Sequence, residues 1–473
     1  MHHRDRIRRD RCKRRGQAAR LERRTQESGV SATPALARLK EVASSAPLVR
    51  VYGRVVQVVG LVIESVGPNA RIGDLCLILS ENGEAIRSEV VGFREGRTLL
   101  MPLGELKGVR SGCMVLGRGR CLEVPFGKAL LGRTLNGLGE PMDGLGALRS
   151  EGLRPVHAVP PNALERRLIE IPFETGVRAI DSLMTVGEGQ RIGIFSGSGI
   201  GKSTLLGMIA RHCHADVNVI ALVGERGREV REFIKNDLGP DGLARSIVVC
   251  ATSEQPALVR IKAAMTATAI AEGFRDQGLR VLLMMDSVTR FAMAQREVGL
   301  AVGEPPSTKG YTPSVFALLP RLLERAGNAA KGSITGIYSV LVEGDDTNEP
   351  VADSVRSILD GHIVLTRKLA NRGHYPPIDP LQSLSRTMPS VVGEEELEAA
   401  RQARELLAAY DDIEDLVNIG AYKPGANPAA DRALALHPKL GEFLRQRTDD
   451  GCPLAEATLR LKEILSEAVP IPA

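Results

Sequence analysis

The residues whose types and spacing could do chemistry are concentrated in one run, Ser196-Gly197-Ser198-Gly199-Ile200-Gly201-Lys202-Ser203-Thr204. An apolar stretch precedes this run, which matches the phosphate-loop pattern G-x-x-x-x-G-K-[ST] except that Ser196 replaces the first glycine. Glycines let backbone N–H groups curl around phosphate oxygens, and the start of a following helix adds a favourable dipole. We therefore predict a nucleotide site in which Lys202 reaches the β- and γ-phosphates and the Ser203 hydroxyl ligates Mg²⁺.

A second candidate is the carboxylate that ends the stretch Arg280-Val281-Leu282-Leu283-Met284-Met285-Asp286. An apolar strand that ends in aspartate, in a chain with a phosphate loop, is the Walker B arrangement, in which the carboxylate holds the Mg²⁺ shell. Asp286 is therefore predicted to serve the same metal ion as Ser203.

Charged residues also follow the apolar stretch Ala221-Leu222-Val223-Gly224, as Glu225 and Arg226. In an open α/β sheet, ligands bind at the carboxyl ends of the strands. A carboxylate there can orient and polarise an attacking water. A loop of solvated charges with internal ion pairs explains the same residues about equally well, so the local sequence leaves both interpretations open.

The alternation of apolar runs with longer helical stretches predicts the elements that position these residues. Between residues 124 and 390, compact apolar runs bounded by turns are typical of buried parallel strands. The predicted strands are Arg191–Ser196, Val217–Val223, Ser246–Ala251 and Arg280–Met285, and the predicted helices are Lys202–His212, Val230–Asp237 and Gln255–Gln277. This pattern predicts an α/β domain with a parallel sheet.

Residues 48–123 instead contain short β-rich runs separated by glycine and asparagine. Strands are predicted at Leu48–Val59, Leu61–Ser65, Leu75–Leu79, Ile86–Phe93 and Thr98–Pro102. The stretch Glu81-Asn82-Gly83-Glu84 has the residue types of a hairpin turn. Short strands at this spacing predict a small β-barrel.

Residues 391–473 are predicted to form a C-terminal helical domain. Apolar residues from Leu397 to Val417 follow one helix face, and Leu454 to Leu465 form a second helical piece. Gly420 and Pro424 end the first of these regions.

Residues 1–47 form a basic tail and a short helix. Residues 1–24 hold eleven Arg or Lys and three Asp or Glu, a net charge of +8 in a chain whose total is +5. This run is either a solvated extension or an electrostatic contact with anionic lipid, nucleic acid or an acidic partner. Thr33 and Pro34 are suited to begin a helix that carries Leu36, Leu39 and Val42. The helix either packs on its own body or docks a partner.

These motifs resemble the rotary ATPase catalytic subunits and, more closely, the ATPases of type III protein export, particularly the flagellar export ATPase. The resemblance covers roughly residues 48–470 and implies a RecA-like domain between an N-terminal β-barrel and C-terminal helices. The segments that carry it are 197–204, 224–229, Asp286-Ser287-Val288-Thr289-Arg290, Ala294-Gln295-Arg296-Glu297, 303–311, Glu343-Gly344-Asp345-Asp346, 360–365 and Gly373-His374-Tyr375-Pro376.

The resemblance also implies roles for individual residues. It assigns residues 197–204 to ATP binding, Glu225 to orienting the attacking water, and Arg226 to the vicinity of the γ-phosphate. Tyr375 corresponds to the aromatic residue that stacks on adenine. Arg386 corresponds to the arginine finger that is offered to the nucleotide of the neighbouring subunit. The structural alternatives are a core aromatic for Tyr375 and an intrachain salt bridge for Arg386.

The implied function is that of a homo-hexameric, Mg-ATP-hydrolysing ring motor of type III export. Such a ring releases export substrates from chaperones and delivers them to a membrane export gate, with a stator-like regulator and a central-stalk-like protein as partners. The implied location is cytoplasmic, at the cytoplasmic face of the inner membrane. Flagellar and injectisome apparatus remain alternatives, although Val90–Leu100 favours the flagellar one. An ion-pumping rotary ATPase is disfavoured, because Val417–Gly425 replaces the acidic Asp-Glu-Leu-Ser-Glu-Glu-Asp segment of synthase catalytic subunits.

The composition disfavours several other classes. The 473 residues are 43% hydrophobic and 25% charged, an ordinary globular mix. The longest apolar runs are too short for a transmembrane helix, and the first 30 residues lack the apolar core of a secretory signal. The seven scattered cysteines predict reduced thiols in a cytosolic protein. Residues 48–123 contain only two aromatic residues, Tyr52 and Phe93, so we expect neither an RNA-translocating hexamer nor another nucleic-acid partner.

Overall fold

The computed structural model describes residues 51–81, 83–342 and 349–467, so the basic run and the short helix predicted before residue 48 lie outside the described residues. The first element of the described chain is a closed barrel of six antiparallel strands in the order β1-β2-β5-β4-β3-β6. These strands are β1 (Tyr52–Val59), β2 (Val62–Val66), β3 (Leu75–Leu79), β4 (Ala85–Arg94), β5 (Arg97–Pro102) and β6 (Met114–Gly117). The predicted barrel is confirmed, and so is the hairpin turn, because Leu79 pairs with Ala85 across it.

A buried ion pair ties the barrel to the domain that follows it. Lys262 Nζ donates to Glu89 Oε1 of β4 over 2.7 Å and lies 2.9 Å from His157 Nε2. Both charged side chains are almost fully buried, so each needs the other to offset its lost hydration. The barrel is therefore held to the nucleotide domain by a specific polar contact as well as by apolar packing.

Five short strands follow the barrel: β7 (Glu123–Phe126), β8 (Thr134–Asn136), β9 (Gly152–Pro155), β10 (Pro172–Phe173) and β11 (Val186–Gly187). The remaining strands are β12 (Arg191–Ser196), β13 (Val217–Val223), β14 (Ser246–Ala251), β15 (Arg280–Asp286), β16 (Gly327–Asn328), β17 (Ser333–Leu341), β18 (Gly361–Leu365) and β19 (Ile378–Ser385).

A nine-stranded sheet forms the centre of the molecule, in the order β19-β18-β12-β17-β15-β13-β14-β8, with β16 paired to β17. Its strands are parallel except for β16 and the edge strand β19. Every residue of β13 is buried, because helices cover both faces of the sheet. Alternate β13 side chains enter two separate apolar clusters, one on each face. The sheet therefore lies between the two apolar clusters and contributes side chains to both.

The helices are α1 (Arg178–Leu183), α2 (Lys202–His212), α3 (Gly227–Glu232), α4 (Gly239–Ala244), α5 (Ala257–Asp276), α6 (Val288–Val302), α7 (Pro313–Leu323), α8 (Pro350–Ile358), α9 (Arg367–Asn371), α10 (Met388–Val391), α11 (Glu394–Asn418), α12 (Pro428–Leu444) and α13 (Leu454–Ser466). The last three form the predicted C-terminal helical domain, which packs against α1. In the described part of the chain, no helix is both long enough and apolar enough to cross a membrane.

The structure adds elements that were not predicted individually, among them strands β17–β19 and helices α6–α8, and it differs from the prediction elsewhere. Helix α12 and strand β6 were not predicted, and the stretch predicted as the helix Val230–Asp237 is divided between α3 and a wide π-type turn, Phe233–Leu238. Pro438 lies inside α12 and interrupts the pattern of a continuous helix, which explains why that element is hard to recognise. Strand β6 has only four residues, too few to show a clear alternation.

Candidate functional site

The glycine-rich run forms a loop between β12 and α2, as predicted. Gly199 and Gly201 have φ values of +74° and +100°, a backbone region that glycine enters without a steric penalty. A side chain added at Gly199 would meet no atom within 4 Å, so this part of the loop borders open space. Ser198 and Gly199 are exposed, and α2 begins directly at Lys202. The loop therefore leads into a helix N-terminus, whose free backbone N–H groups favour an anion.

Lys202 and Asp286 meet at the base of this loop. Lys202 Nζ lies 2.5 Å from Asp286 Oδ1, which also accepts a 2.7 Å hydrogen bond from Ser339 Oγ. Asp286 ends β15 and Ser339 lies on the adjacent β17. Sequence reasoning did not identify Ser339, because only the pairing of distant strands brings it beside Asp286. The arrangement holds one cation and one carboxylate, both largely buried, within a single hydrogen-bond network.

Glu225 follows β13 at the same edge of the sheet. Burial and the negative charge of Asp286 raise the pKa of Glu225 to about 7, against the opposing effects of Lys202 and Arg290. Glu225 Oε1 is buried and has no hydrogen-bond partner among the described residues. A carboxylate with a free, buried oxygen and a pKa near neutrality can accept a hydrogen bond from a water and take up its proton.

Arg290 packs beside Glu225, a position that sequence reasoning did not single out. A methyl group added to Gly224, whose φ is +73°, would lie 2.9 Å from Arg290 Cβ. Gly224 is thus required both for its backbone conformation and for this close approach. The Nε atom of Arg290 is buried and has no hydrogen-bond partner in the described structure. Arg290 therefore adds a second, partly buried cation to the site.

Arg226 and Tyr375 lie at the rim of the site. Arg226 is exposed in the loop after β13 and pairs over 3.2 Å with Glu229 of α3. Tyr375 is half exposed, and its ring carbons lie 3.9 Å from the position of a methyl group on Gly201. The ring of Tyr375 therefore lies beside the phosphate loop rather than in the core. The roles of these two residues stay predictions.

A cavity of about 240 Å³ opens behind the loop, at the carboxyl ends of β12, β17 and β18. Gly197, Val342, Leu365 and Arg367 are among the residues that line it. Arg367 donates from Nη2 to the Ser198 carbonyl over 3.2 Å and so holds the loop against α9, a contact that sequence reasoning did not foresee.

Arg386 lies near the amino-terminal ends of the parallel strands, whereas the phosphate loop lies at their carboxyl ends. Its backbone N–H donates to the Asp360 carbonyl, and the Asp360 carboxylate binds Arg191, the first residue of β12. The phosphate loop follows Ser196, the last residue of β12, about 17 Å further along the strand at about 3.3 Å per residue. The Arg386 side chain is exposed, and Nη1 reaches only the Leu359 carbonyl, at 3.4 Å. The structure therefore does not bring Arg386 to the phosphate loop of its own chain.

The residues present fit a magnesium nucleotide. The phosphate loop offers anion-binding N–H groups beside open space. The unpartnered oxygen of Glu225 and the adjacent carboxylate of Asp286 offer hard oxygen ligands. Mg²⁺ in phosphate-transfer sites takes one or two protein oxygens and completes its shell with phosphate and water. Ser203, exposed at the start of α2, and Asp286 are the predicted protein ligands.

Family models match three consecutive parts of the chain. The ATP synthase alpha/beta family matches with its beta-barrel domain at residues 55–119 and with its nucleotide-binding domain at residues 176–385. The C-terminal domain of the EscN ATPase of type III secretion matches at residues 392–463. The three matches correspond to the barrel, the domain that contains the sheet, and the C-terminal helices.

Similar proteins and structures are numerous. The flagellum-specific ATP synthase of Bacillus subtilis is 57% identical over 87% of this chain and 95% of its own length. The type 3 secretion system ATPase of Xanthomonas euvesicatoria is 55% identical over 85% of this chain and 91% of its own length. The assembled ATPase EscN of enteropathogenic E. coli superposes with a TM-score of 0.83 at 47% identity, covering 88% of this chain and 100% of EscN. A second EscN structure, in complex with its central stalk EscO, has a TM-score of 0.82.

Proposed function

The chain belongs to the ATP synthase alpha/beta family, among the ATPases of type III secretion, and we propose that it is a homo-hexameric ring motor that hydrolyses Mg-ATP to energise flagellar protein export. The observation that carries this proposal is the joining, in one chain, of a phosphate-loop site to a C-terminal domain of the secretion type. The same C-terminal match speaks against an ion-pumping rotary ATPase. In this role the ring releases export substrates from chaperones and delivers them to the export gate at the inner membrane.

Each residue of the site has a distinct part in hydrolysis. The loop N–H groups and Lys202 bind the phosphates, while Tyr375, beside the loop, is placed to stack on the base. Mg²⁺, when bound, neutralises negative charge on the phosphate oxygens, and Ser203 and Asp286 would hold it. Glu225 orients a water and accepts its proton, and Arg226 lies at the rim. Arg386 completes the site of a neighbouring subunit.

We expect hydrolysis to depend on pH through Glu225. Because its pKa is raised to about 7, the active carboxylate is lost as the pH falls through that value. The kcat/KM for ATP should therefore fall about tenfold per pH unit on the acid side, since this ratio reports ionisations of the free enzyme. Glu225→Gln should bind a fluorescent ATP analogue like the wild type and hardly hydrolyse ATP at any pH. Loss of binding by the folded variant would assign Glu225 a structural role instead.

A complementation experiment tests the export function. Supplied to a flagellated strain that lacks its own export ATPase, this chain should restore swimming and the secretion of filament protein, whereas the Glu225→Gln chain, expressed at the same level, should not. If the chain restored secretion through an injectisome and did not restore swimming in the flagellar strain, the protein would belong to the injectisome.

We further propose that residues 1–45 attach the ring to its surroundings. EscN binds a central stalk, EscO, and we infer a similar stalk partner here. The helix that the sequence predicts around Leu36 is proposed to dock a stator-like regulator, while the basic run favours anionic membrane. Deleting residues 1–45 should leave basal hydrolysis largely intact. The deletion should weaken the association with the regulator, as measured by partner pull-down, and the association with membrane, as measured by co-sedimentation with anionic liposomes. Unchanged association in both assays would contradict this proposal.

A further inference from the structure

Gln446 carries a buried amide whose hydrogen bonds join separate segments of the chain. It lies two residues after Leu444, the end of α12, and is 5% exposed. Its Oε1 accepts the Arg178 N–H of α1 over 2.8 Å, and its Nε2 donates to the Gly176 carbonyl over 2.7 Å and to the Asp450 carbonyl. Both amide hydrogens and the amide oxygen are therefore used, which fixes the orientation of this side chain.

The backbone of Gln446 in turn holds the loop that carries Tyr375. The Gln446 N–H donates to the Tyr375 carbonyl over 2.9 Å. One residue earlier in the loop, the His374 N–H donates to the Leu369 carbonyl of α9 over 3.0 Å. The Tyr375 ring is 52% exposed, so packing restrains it less than it would restrain a core side chain. Its position beside Gly201 therefore depends on these backbone hydrogen bonds.

The residue that anchors the Gln446 amide packs against α2, the helix that follows the phosphate loop. A methyl group added to Gly176, whose φ is +77°, would lie 2.4 Å from the Cβ atom of His212 at the end of α2. The Gly176 N–H donates to Asp181 Oδ2 over 2.9 Å, so this residue is held from both sides. Through Gly176, the Gln446 amide therefore ties the Tyr375 loop to the helix that begins at the phosphate loop.

We propose that Gln446 is a positioning residue for base recognition, which holds the Tyr375 ring where the adenine of ATP stacks. This role of Gln446 rests on the proposed function, in which Tyr375 stacks on the base. The amide is buried and paired with protein groups, so it acts on the base only through Tyr375. Without the amide, the ring would have to be ordered when the base binds, and affinity for the base would fall. The phosphates, which the loop N–H groups and Lys202 bind, would be held as before.

A side chain that only fastens the C-terminal domain would behave differently, since its loss would not distinguish the base from the phosphates. Arg404 of α11 offers this comparison, because it also joins the C-terminal helices to the nucleotide domain. Its Nη2 donates to the Ser383 and Leu183 carbonyls over 2.8 and 3.2 Å, at the other end of α1. Arg404→Leu is therefore the matched control for Gln446→Leu.

The test compares the affinity for Mg-ATP with the affinity for Mg-tripolyphosphate, which has the phosphates and no base, by isothermal titration calorimetry. Removing an aromatic residue that stacks on a base weakens binding about 5- to 100-fold. We expect Gln446→Leu to raise the Kd for ATP about fivefold, the lower end of this range, because the ring is loosened and not removed. The Kd for tripolyphosphate should stay unchanged. Arg404→Leu should keep the wild-type ratio of the two Kd values.

Hydrolysis provides a second measurement on the same variants. The base is remote from the transferred phosphoryl group and is bound alike in the ground state and the transition state. Gln446→Leu should therefore raise the KM for ATP and leave kcat nearly unchanged, the pattern of lost uniform binding. A fall in kcat at an unchanged KM would contradict the positioning role.

A double-mutant cycle shows whether Gln446 acts through Tyr375. In the Tyr375→Ala background, Gln446→Leu should no longer change the Kd for ATP, because the ring that it positions is absent. An undiminished effect in that background, or an equal rise of both Kd values in the single variant, would overturn the positioning role. If Gln446→Leu does not fold, Gln446→Asn, whose amide is one methylene shorter, replaces it and should also weaken the binding of ATP alone.

Failure of the proposed function would give a separate result. If Tyr375→Ala bound ATP like the wild type, the stacking role of Tyr375 in the proposed function would fail, and the role of Gln446 with it. If Tyr375→Ala bound ATP weakly while Gln446→Leu kept the wild-type ratio of the two Kd values, only the positioning role of Gln446 would fail.

Discussion

Replacing Lys202 by alanine is expected to lower ATP turnover at least about 100-fold, the loss typical of removing one preorganised group that stabilises charge. The Lys202 ammonium is held 2.5 Å from Asp286 at the base of the phosphate loop, so its charge is in place before any ligand binds. Phosphate release at saturating Mg-ATP measures the loss. Lys235→Ala, which removes an exposed lysine of the same domain, is the control and should retain wild-type turnover.

The same ion pair predicts a loss of stability in the alanine variant. Asp286 is buried, and without Lys202 its charge keeps only the Ser339 hydroxyl as a side-chain hydrogen-bond partner among the described residues. Breaking a buried pair by removing one partner typically costs about 3–5 kcal/mol. Lys202→Arg separates the two effects, because it keeps the positive charge and yet presents a larger, planar group to the loop. We expect Lys202→Arg to recover most of the melting temperature and little of the turnover. Near wild-type turnover in either folded variant would show that the phosphate-loop assignment is wrong.

The elements that carry the site follow closely from local sequence. Strands β12, β13 and β14 have the predicted bounds, and β15 extends the predicted strand by one residue, to Asp286. The reason is physical: strands buried on both faces are largely apolar runs, so the polar or glycine residues that follow a run mark its end. In parallel strands these ends share one edge of the sheet, which is why Lys202, Glu225 and Asp286 converge.

Other parts of the site depend on contacts between distant segments. Ser339 reaches Asp286 only because β15 and β17 are neighbours, and no local pattern states the order of the strands. Arg290 is placed by the close packing of α6 on Gly224. The raised pKa of Glu225 likewise arises from burial and from Asp286, which lies on a different strand. The local sequence therefore predicts which residues lie at the site. Their hydrogen-bond partners and their ionisation can be stated only once the order of the strands in the sheet is known.

Replacing Arg386 by alanine is expected to reduce hydrolysis per subunit about 10³–10⁵-fold, the contribution of arginine fingers where they have been measured. Wild-type hydrolysis per subunit should rise steeply with protein concentration as rings form. Arg386→Ala should flatten this rise and leave the affinity for a fluorescent ATP analogue largely unchanged, because Arg386 lies far from its own phosphate loop. Light scattering on the same samples checks that rings still form.

Mixing two inactive variants decides whether Arg386 acts on a neighbour. In a ring built from one repeated head-to-tail interface, each site combines the loop residues of one subunit with the finger of the next. A site is then intact where an Arg386→Ala subunit, with its Glu225 present, meets the finger of a Glu225→Gln subunit. At equal mixing and with independent sites, about a quarter of the sites are intact, and activity should peak there and vanish at both ends of the series.

An arginine that served its own subunit would give a different result. Every Arg386→Ala subunit would then lack its finger and every Glu225→Gln subunit its carboxylate, so no ratio would restore activity. The control mixes Arg386→Ala with the double variant Arg386→Ala, Glu225→Gln, which supplies no finger and should give no rescue. A flat series in well-formed mixed rings would refute action on a neighbour. A peak at equal mixing would place the catalytic site between subunits, in agreement with the separation of Arg386 from its own loop by the length of β12.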